Sequence, residues 1–151
     1  MRGPGITDEG GKRTQLAGSH DIAPTLARMG GARVPGFVDG RNFLPVARDN
    51  NSAWPRTAVL SERKTDTIPP TWEMLRLGDA NYTRYGNEDK GYYDLIKDPL
   101  QLDNALSGAS DAPYPPPNQQ TQDYYEQRLD ALANCGRKMG QEPCRAAENG
   151  P

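Results

Sequence analysis

Three adjacent residues near the N-terminus carry the functional groups of a hydrolase triad. Ser19, His20 and Asp21 supply a hydroxyl, an imidazole and a carboxylate. A working triad needs the three groups to converge, so that serine donates to histidine and histidine to the acid. Adjacent side chains diverge from the backbone, so this tripeptide is not expected to form the relay. We expect His20 to pack at the start of a helix or to contact solvent.

A glycine-rich stretch before this tripeptide partly matches a phosphate-binding loop. That motif places four residues between two glycines, then a lysine and a hydroxyl residue that reaches magnesium. Between Gly5 and Lys12 an extra glycine intervenes, and Arg13 occupies the hydroxyl position. We interpret the stretch as a surface loop and not as a nucleotide site.

The two cysteines of the chain, Cys135 and Cys144, lie close together near the C-terminus. With one histidine and no third cysteine, the sequence cannot supply the usual four ligands of a structural zinc site. The acidic residues form no dense cluster, so no metal site is predicted. A disulfide between Cys135 and Cys144 is favoured and would fit an oxidising compartment. Two free thiols are the alternative.

Five aromatic residues lie in the middle of the chain, within strand-like runs. Their rings could stack against a sugar or aryl ligand, or they could pack against each other across strands, which is the commoner role. Both interpretations stay open at this point. The residues are Trp72, Tyr82, Tyr85, Tyr92 and Tyr93.

Composition limits the classes of fold and partner. The 151 residues suffice for one ordinary domain, and 14 prolines and 16 glycines favour loops, turns and extended segments. A net charge of -2, from 18 basic and 20 acidic residues, provides no general attraction for nucleic acid. No apolar run is long enough to span a membrane, and the N-terminus lacks the pattern of a signal peptide.

The first predicted element is a short helix from Asp21 to Arg28. Asp21 is a suitable N-cap, and Ile22, Leu26 and Met29 fall near one face. The following segment, 32–52, is rich in turn residues. It is interpreted as a surface connection or a boundary between subdomains.

Short runs of apolar, aromatic and β-prone residues then predict a three- or four-stranded antiparallel sheet. The hairpin turn is expected at Gly78 to Asn81, and a proline after Asp98 ends the last strand. The predicted strands are Thr57 to Ser61, Trp72 to Leu77, Tyr82 to Tyr85 and Tyr92 to Ile96.

The C-terminal part is predicted as a linker followed by one helix. Segment 110–122 contains three consecutive prolines and is expected to pack little. Asp123 to Ala133 has apolar residues at helical spacing, which indicates an amphipathic helix. The tail after Cys144 is expected to be frayed.

Two sets of segments, which follow each other along the chain, resemble the sulfatase family. The first set is similar to the end of the sulfatase catalytic domain, and the second to the small-sheet subdomain that follows it. An apolar strand would normally precede Arg2, and the sequence opens at Met1 without one, so we expect a truncated sulfatase. The first set is Arg2 to Ile6, Asp21 to Leu26 and Asp39 to Pro45; the second is Leu75 to Tyr85 and Tyr93 to Asn104.

The resemblance implies an α/β fold, with the end of an alkaline-phosphatase-like catalytic domain followed by a small antiparallel sheet with a C-terminal helix. Residues 1–52 would be the end of the catalytic domain and 53–109 the small-sheet subdomain. The Pro-rich linker 110–122 would lead to the terminal helix and cysteine-containing tail, 123–151.

Family chemistry depends on a Cys or Ser in a Cys/Ser-x-Pro-x-Arg motif, which is converted to formylglycine, and on calcium. Neither cysteine has this motif, and neither Asp49-Asn50 nor Asp103-Asn104 lies in the segment that supplies the metal ligands. The resemblance therefore implies no catalytic residue, metal ligand or cofactor in this chain. Calcium and formylglycine are expected in the full-length enzyme.

The resemblance implies that this chain is the C-terminal part of a sulfatase that hydrolyses aryl or amino-sugar sulfates. As an isolated fragment, the chain would be inactive. Its partners would be the missing N-terminal catalytic portion and, in the full-length enzyme, a sulfated small molecule or glycan. The full-length protein would be secreted, periplasmic or lysosomal. Candidates for contact with the substrate cleft are Glu62, Trp72 and Arg76. The alternative is a non-enzymatic small-sheet module that binds glycans or a protein partner.

Overall fold

A four-stranded antiparallel sheet forms the centre of the fold. The computed structural model describes residues 3, 5–6, 10–65, 70–108, 111–135 and 142–150. Short helices precede the sheet, and two further helices follow it. This mixed α/β architecture agrees with the predicted small sheet and C-terminal helix.

Each strand pairs antiparallel with the next one along the chain. The strands are β1 (Val59–Arg63), β2 (Trp72–Arg76), β3 (Ala80–Tyr85) and β4 (Lys90–Asp94), in the order β1-β2-β3-β4. This arrangement confirms the predicted sheet, although β3 and β4 each start two residues earlier than predicted. The hairpin is tight because the amide of Leu77 donates to the carbonyl of Ala80 at 2.8 Å.

β1 starts later than predicted because the residues before it bond elsewhere. The amides of Thr57 and Ala58 donate to the carbonyl oxygen of Glu148, at 2.9 and 3.1 Å. Those groups therefore join the first strand region to the last helix instead of to β2.

The long helix α3 (Gln119–Cys135) packs against one face of the sheet. It begins inside the predicted linker and is longer than the predicted helix. Its start has a physical cause, because the Asn118 side chain accepts from the amide of Thr121 at 2.9 Å, as an N-cap does. The core between helix and sheet contains Ala58, Leu75, Tyr82, Leu129 and Leu132.

The predicted linker also packs more than expected. Tyr114 is buried, and its hydroxyl contacts a carboxylate oxygen of Asp98 at 3.1 Å and the carbonyl of Asp103 at 2.6 Å. The prediction of an unpacked linker was wrong at this residue because a tyrosine among prolines provides both apolar area and a hydrogen-bonding group.

Two short helices form the N-terminal part of the fold. A 3-10 turn (Ser19–Asp21) leads into α1 (Ile22–Met29), close to the predicted helix. A second helix, α2 (Leu44–Arg48), was not predicted. It is only one turn and a half long, with a proline in its first turn, so it has almost no helical periodicity. It forms because Leu44 and Ala47 pack with Ile6 in a second apolar cluster.

The prediction of a frayed tail was wrong. The tail contains a helix, α4 (Glu142–Asn149), which packs on α3. The predicted disulfide is confirmed: Cys135 at the end of α3 is bonded to Cys144, with 4.8 Å between their Cα atoms. A short helix with few apolar residues is marginal alone, so tertiary contacts hold α4 in place.

Candidate functional site

A buried ionic cluster lies where the N-terminal segment, the start of β1 and α4 meet. Arg56 is fully buried at its centre. Its Nη1 and Nη2 atoms both donate to the Asp21 carboxylate, the second at 2.9 Å. Nη2 is also 2.9 Å from Oε1 of Glu148. One guanidinium thus joins two carboxylates from opposite ends of the chain.

Two further side chains complete this cluster. Arg41 donates from Nε to Oε2 of Glu148 at 2.7 Å and from Nη2 to Oδ1 of Asn149 at 2.8 Å. His20 lies at the edge, with Nε2 3.6 Å from Oε1 of Glu148 and its side chain partly exposed. This placement agrees with the expected position at a helix start.

Paired charges hold the carboxylates of the cluster in their ionised form. Burial by itself raises the pKa of Asp21, but hydrogen bonds from Arg56 and from the amides of Arg41 and Gly18 outweigh it, so the pKa is lowered. For Glu148, burial is again outweighed, here by His20 and Arg56, and the pKa is also lowered. The arginines thus act as permanent counter-ions.

The cluster is built to hold segments together and not to transfer protons. Both oxygens of Asp21 are occupied, Oδ1 by the Arg41 amide and Oδ2 by the Gly18 amide, at 2.6 and 2.8 Å, in addition to Arg56. His20 Nε2 is 3.6 Å from Oδ1 of Asp21, beyond hydrogen-bond distance. Ser19, His20 and Asp21 therefore do not act as a relay.

The sheet separates the predicted cleft residues. Directly paired residues share a face, and neighbours along a strand alternate. Glu62 pairs with Glu73, and Arg84 pairs with Glu73 on the face that packs against α3. Trp72 and Arg76 therefore lie together on the opposite face, here called the outer face. The structure brings these two candidates onto one surface and places Glu62 on the other.

Charges on the α3 face are closely paired. Arg84 lies 2.6 Å from Glu73, 3.0 Å from Glu126 and 2.8 Å from Asp130. Lys90 lies 2.8 Å from Glu126. Burial raises the pKa of Glu126, but hydrogen bonds from Lys90 and other neighbours lower it overall. These ion pairs attach α3 to the sheet.

The aromatic residues are divided between the two faces. Tyr82 and Tyr92 pack against Tyr125 of α3, with ring centroids 5.3 and 6.3 Å apart. For these two residues the packing interpretation is confirmed. Trp72 and Tyr85, which are paired across β2 and β3, lie on the outer face, where ligand contact stays a prediction.

The second sulfatase-like set of segments includes a loop with a structural role. Asp98 accepts from the amides of Leu102 and Asp103, both at 3.0 Å. Asn104 accepts from the amides of Tyr92 and Leu106, both at 3.0 Å. The side chains of this loop therefore shape the chain beside β4.

Neither a metal centre nor a membrane helix is found in the described part of the chain. Across the described ranges, no group of three His, Cys, Asp or Glu side chains could hold a metal ion. Among the described helices, none is both long and apolar enough to cross a membrane.

One side of α1 leaves large apolar side chains in solvent. Ile22 is 50 % exposed, Leu26 60 % and Met29 42 %. The opposite side is buried, since Thr25 is 1 % exposed and donates to the carbonyl of Asp21 at 2.7 Å. The helix thus has an apolar face that the other described residues cover only in part.

The sequence contained little that could identify the ionic cluster. Arg41, Arg56 and Glu148 are far apart in sequence, and each is an ordinary charged residue in a polar segment. Asp21 was singled out as a helix cap, but its carboxylate accepts from Gly18, Arg41 and Arg56 instead. The one available signal was the predicted disulfide, which implied that the tail is held near α3.

Comparison with solved structures finds sulfatases. The chain is similar to BT1596, a 2-O GAG sulfatase, with 25% identity and a TM-score of 0.68 over 90% of this chain and 29% of that chain. It is similar to BT4656, solved with its substrate D-glucosamine-2-N,6-O-disulfate, with 21% identity and a TM-score of 0.61 over 81% of this chain and 25% of that one.

A further similar structure is a protein from Bacteroides thetaiotaomicron VPI-5482 assigned as a sulfatase. Identity is 23% and the TM-score 0.59, over 78% of this chain and 24% of that one. The chain therefore spans about a quarter of the length of the solved proteins it matches. No family model and no curated protein matches the sequence.

Proposed function

Because the chain is a sulfatase-like region that corresponds to about a quarter of the solved sulfatases, we propose that it acts as the C-terminal part of a sulfatase. The observation that carries the proposal is the match of 90% of this chain to 29% of BT1596, at a TM-score of 0.68. The catalytic groups would lie on a separate, N-terminal portion.

The apolar face of α1 supports this proposal. Ile22, Leu26 and Met29 are about half exposed, so covering this face would stabilise the protein by roughly 1 kcal/mol for each side chain. Exposed apolar patches of this kind mark interaction surfaces. We infer that this face packs against the catalytic portion.

The reaction of the assembled enzyme would be hydrolysis of a sulfate ester, with an aryl sulfate or a sulfated amino sugar as substrate. Formylglycine and calcium would be supplied by the N-terminal portion, and this chain would support that portion and border its cleft. The Cys135–Cys144 disulfide supports an oxidising compartment. The full-length protein would accordingly be secreted, periplasmic or lysosomal.

The test is a complementation assay. The purified chain is incubated with a chromogenic aryl sulfate and calcium, alone and mixed with a separately expressed sulfatase N-terminal portion that carries the Cys/Ser-x-Pro-x-Arg motif. We expect turnover in the mixture only, because catalysis needs an activated nucleophile beside groups that neutralise the sulfate.

Two outcomes would contradict the proposal. Turnover by the chain alone, abolished by Ser19→Ala or His20→Ala, would indicate an independent active site. No turnover and no complex formation in the mixture would favour the alternative, a non-enzymatic sheet module that binds a glycan or a protein through its outer face. That alternative draws its support from the pairing of Trp72 with Tyr85 on a surface that α3 does not cover.

A further inference from the structure

Ala17 lies just before the 3-10 turn, and its main chain has no hydrogen-bond partner among the described residues. Its neighbours are bonded. The carbonyl oxygen of Leu16 accepts from Nε1 of Trp54 at 2.7 Å, and the amide of Gly18 donates to Oδ2 of Asp21 at 2.8 Å. The backbone is extended at Gly18, where φ is -109° and ψ is 164°. Bonded and unbonded main-chain groups therefore alternate along this stretch.

The direction of the unbonded groups follows from the planar trans peptide, in which the N–H and C=O bonds point in opposite directions. The carbonyl that precedes Ala17 points to Trp54, and the amide that follows it points to Asp21. These two partners lie on the same side, because Arg56 contacts both of them. The amide and the carbonyl of Ala17 itself therefore point away from the protein, as on the open edge of a strand.

An apolar cavity of about 280 Å³ lies beside this edge. Its volume is just below the roughly 300–1,000 Å³ of typical small-molecule pockets, so it suits an inserted side chain better than a whole ligand. Arg13 also borders the cavity, but its Nε donates to the carbonyl of Val46 at 2.9 Å. The apolar residues that line the cavity are Ile6, Ala17, Phe43, Val46, Ala47 and Trp54.

We propose that an extended segment of the N-terminal catalytic portion pairs with Ala17 and inserts an apolar side chain into this cavity; the inference rests on the proposed function. In this mode of recognition, main-chain hydrogen bonds hold the added strand, and its alternate side chains occupy neighbouring pockets. An antiparallel strand exchanges both of its hydrogen bonds with a single opposite residue. Ala17 offers the donor and the acceptor for such an exchange.

Two observations favour the catalytic portion as the partner. The chain matches 29% of BT1596, so the greater part of that sulfatase has no counterpart here and can supply the segment. The stretch that contains Ala17 also leads through the 3-10 turn directly into α1, whose apolar face is partly exposed. One partner can therefore cover the open edge and the apolar face together. A second copy of this chain is the competing occupant.

The first experiment measures hydrogen–deuterium exchange at the amide of Ala17, by mass spectrometry with residue-level fragmentation. The full chain is measured alone at several concentrations, and mixed with the separately expressed sulfatase N-terminal portion of the complementation assay. Sedimentation velocity shows whether a complex forms. We expect exchange at this amide to be at least tenfold slower in the complex than in the isolated chain, because pairing protects the amide from solvent.

The second experiment compares three substitutions at the same residue. Ala17→Pro removes the amide donor, Ala17→Phe places a ring at the cavity, and Ala17→Ser is the matched control that keeps the amide and the small size. Ala17 is exposed, so each variant should keep the free energy of unfolding of the isolated chain, measured by urea denaturation. Affinity for the N-terminal portion should fall at least tenfold in Ala17→Pro and Ala17→Phe, and should be unchanged in Ala17→Ser.

The outcomes separate this inference from the proposed function. Equal affinities of Ala17→Pro and Ala17→Ser, or rapid exchange at Ala17 in a complex that does form, would overturn the pairing and leave the proposed function standing. Protection that increases with the concentration of the chain alone would identify a second copy as the occupant and would also overturn it. Absence of any complex would contradict the proposed function as well.

Discussion

At the residue scale, Glu148 connects three parts of the chain because its carboxylate and its carbonyl oxygen have different partners. The carboxylate binds Arg41 and Arg56, which belong to the N-terminal half. The carbonyl oxygen accepts from Thr57 before β1 and from Arg128 of α3, the latter at 3.0 Å. Substitution of Glu148 would remove the contacts to Arg41 and Arg56 and leave those made by its carbonyl oxygen.

Asp21 gives the sharpest test of the ionic cluster. Asp21→Asn leaves the fully buried Arg56 with one carboxylate partner fewer, and breaking a buried ion pair typically costs about 3–5 kcal/mol. We expect a decrease of that order in the free energy of unfolding, measured by urea denaturation at pH 7. Asp123→Asn, at an exposed site in α3, should change it by less than about 0.5 kcal/mol. Equal effects would mean that the cluster does not stabilise the fold.

The same carboxylates predict a pH dependence of stability. The pKa values of Asp21 and Glu148 are lowered in the folded state, so their contribution is present above the unfolded pKa, about 4, and is lost as the pH falls through the folded pKa. The free energy of unfolding should therefore decrease below about pH 4. The decrease should be shallower in Asp21→Asn. A variant with the wild-type slope would indicate that other groups dominate.

At the residue scale, what could be predicted from sequence depended on distance along the chain. Cys135 and Cys144 are nine positions apart, so a local loop indicated their pairing. Asp21, Arg56 and Glu148 meet only because the fold brings distant segments together. Charged residues have no periodicity that distinguishes a buried pair from a solvated surface.

At the element scale, the sheet could be predicted from the sequence, and the short helices α2 and α4 could not. Two β-prone runs that contain aromatic residues and are separated by a tight turn indicate neighbouring antiparallel strands, and β2 and β3 are such runs. Helices α2 and α4 are short, and their stability comes from burial of Leu44 and from contacts of Glu148. Such elements lack a sequence signal because isolated short helices are marginal.

The alternation of β2 side chains between the two faces of the sheet can be tested directly. Leu75 is fully buried in the core, and the next residue back, Met74, lies on the outer face. Leu75→Ala should cost about 2–5 kcal/mol, because it leaves a cavity as well as removing apolar contacts. Met74→Ala should cost clearly less. Denaturant titration of both variants checks this, and equal losses would contradict the register of the sheet.

The disulfide should stabilise α4 and the cluster that depends on it. Its loop is short, so reduction is expected to lower the free energy of unfolding by about 2–3 kcal/mol. Thermal unfolding with and without a thiol reductant measures the change. The double variant Cys135→Ser with Cys144→Ser should unfold at the same temperature under both conditions. Alkylation of both thiols in the oxidised, unreduced protein would contradict the disulfide in solution.

At the scale of the whole molecule, the predicted division at residues 52, 109 and 122 remains a prediction. The ionic cluster crosses the first of these boundaries, since Asp21 binds Arg56, and Arg41 binds Glu148. The segment that resembles the end of a catalytic domain is therefore attached to the small-sheet region by buried charges. On the other side of this segment, the described residues cover the apolar face of α1 only in part.

This asymmetry predicts how the isolated chain behaves in solution. Ile22, Leu26 and Met29 form an apolar stripe at helical spacing, and such a stripe promotes association because burial removes it from water. We expect concentration-dependent self-association in sedimentation velocity, together with binding of a dye specific for apolar surface. Leu26→Gln should reduce both without loss of stability, because Leu26 is 60 % exposed. Arg28→Gln, at an exposed position of the same helix, should leave both unchanged.

The same variant tests which surface packs against the catalytic portion. If Leu26→Gln also prevents turnover in the complementation assay, the apolar face of α1 is that surface. A fully active Leu26→Gln mixture would mean that the contact lies elsewhere on the chain.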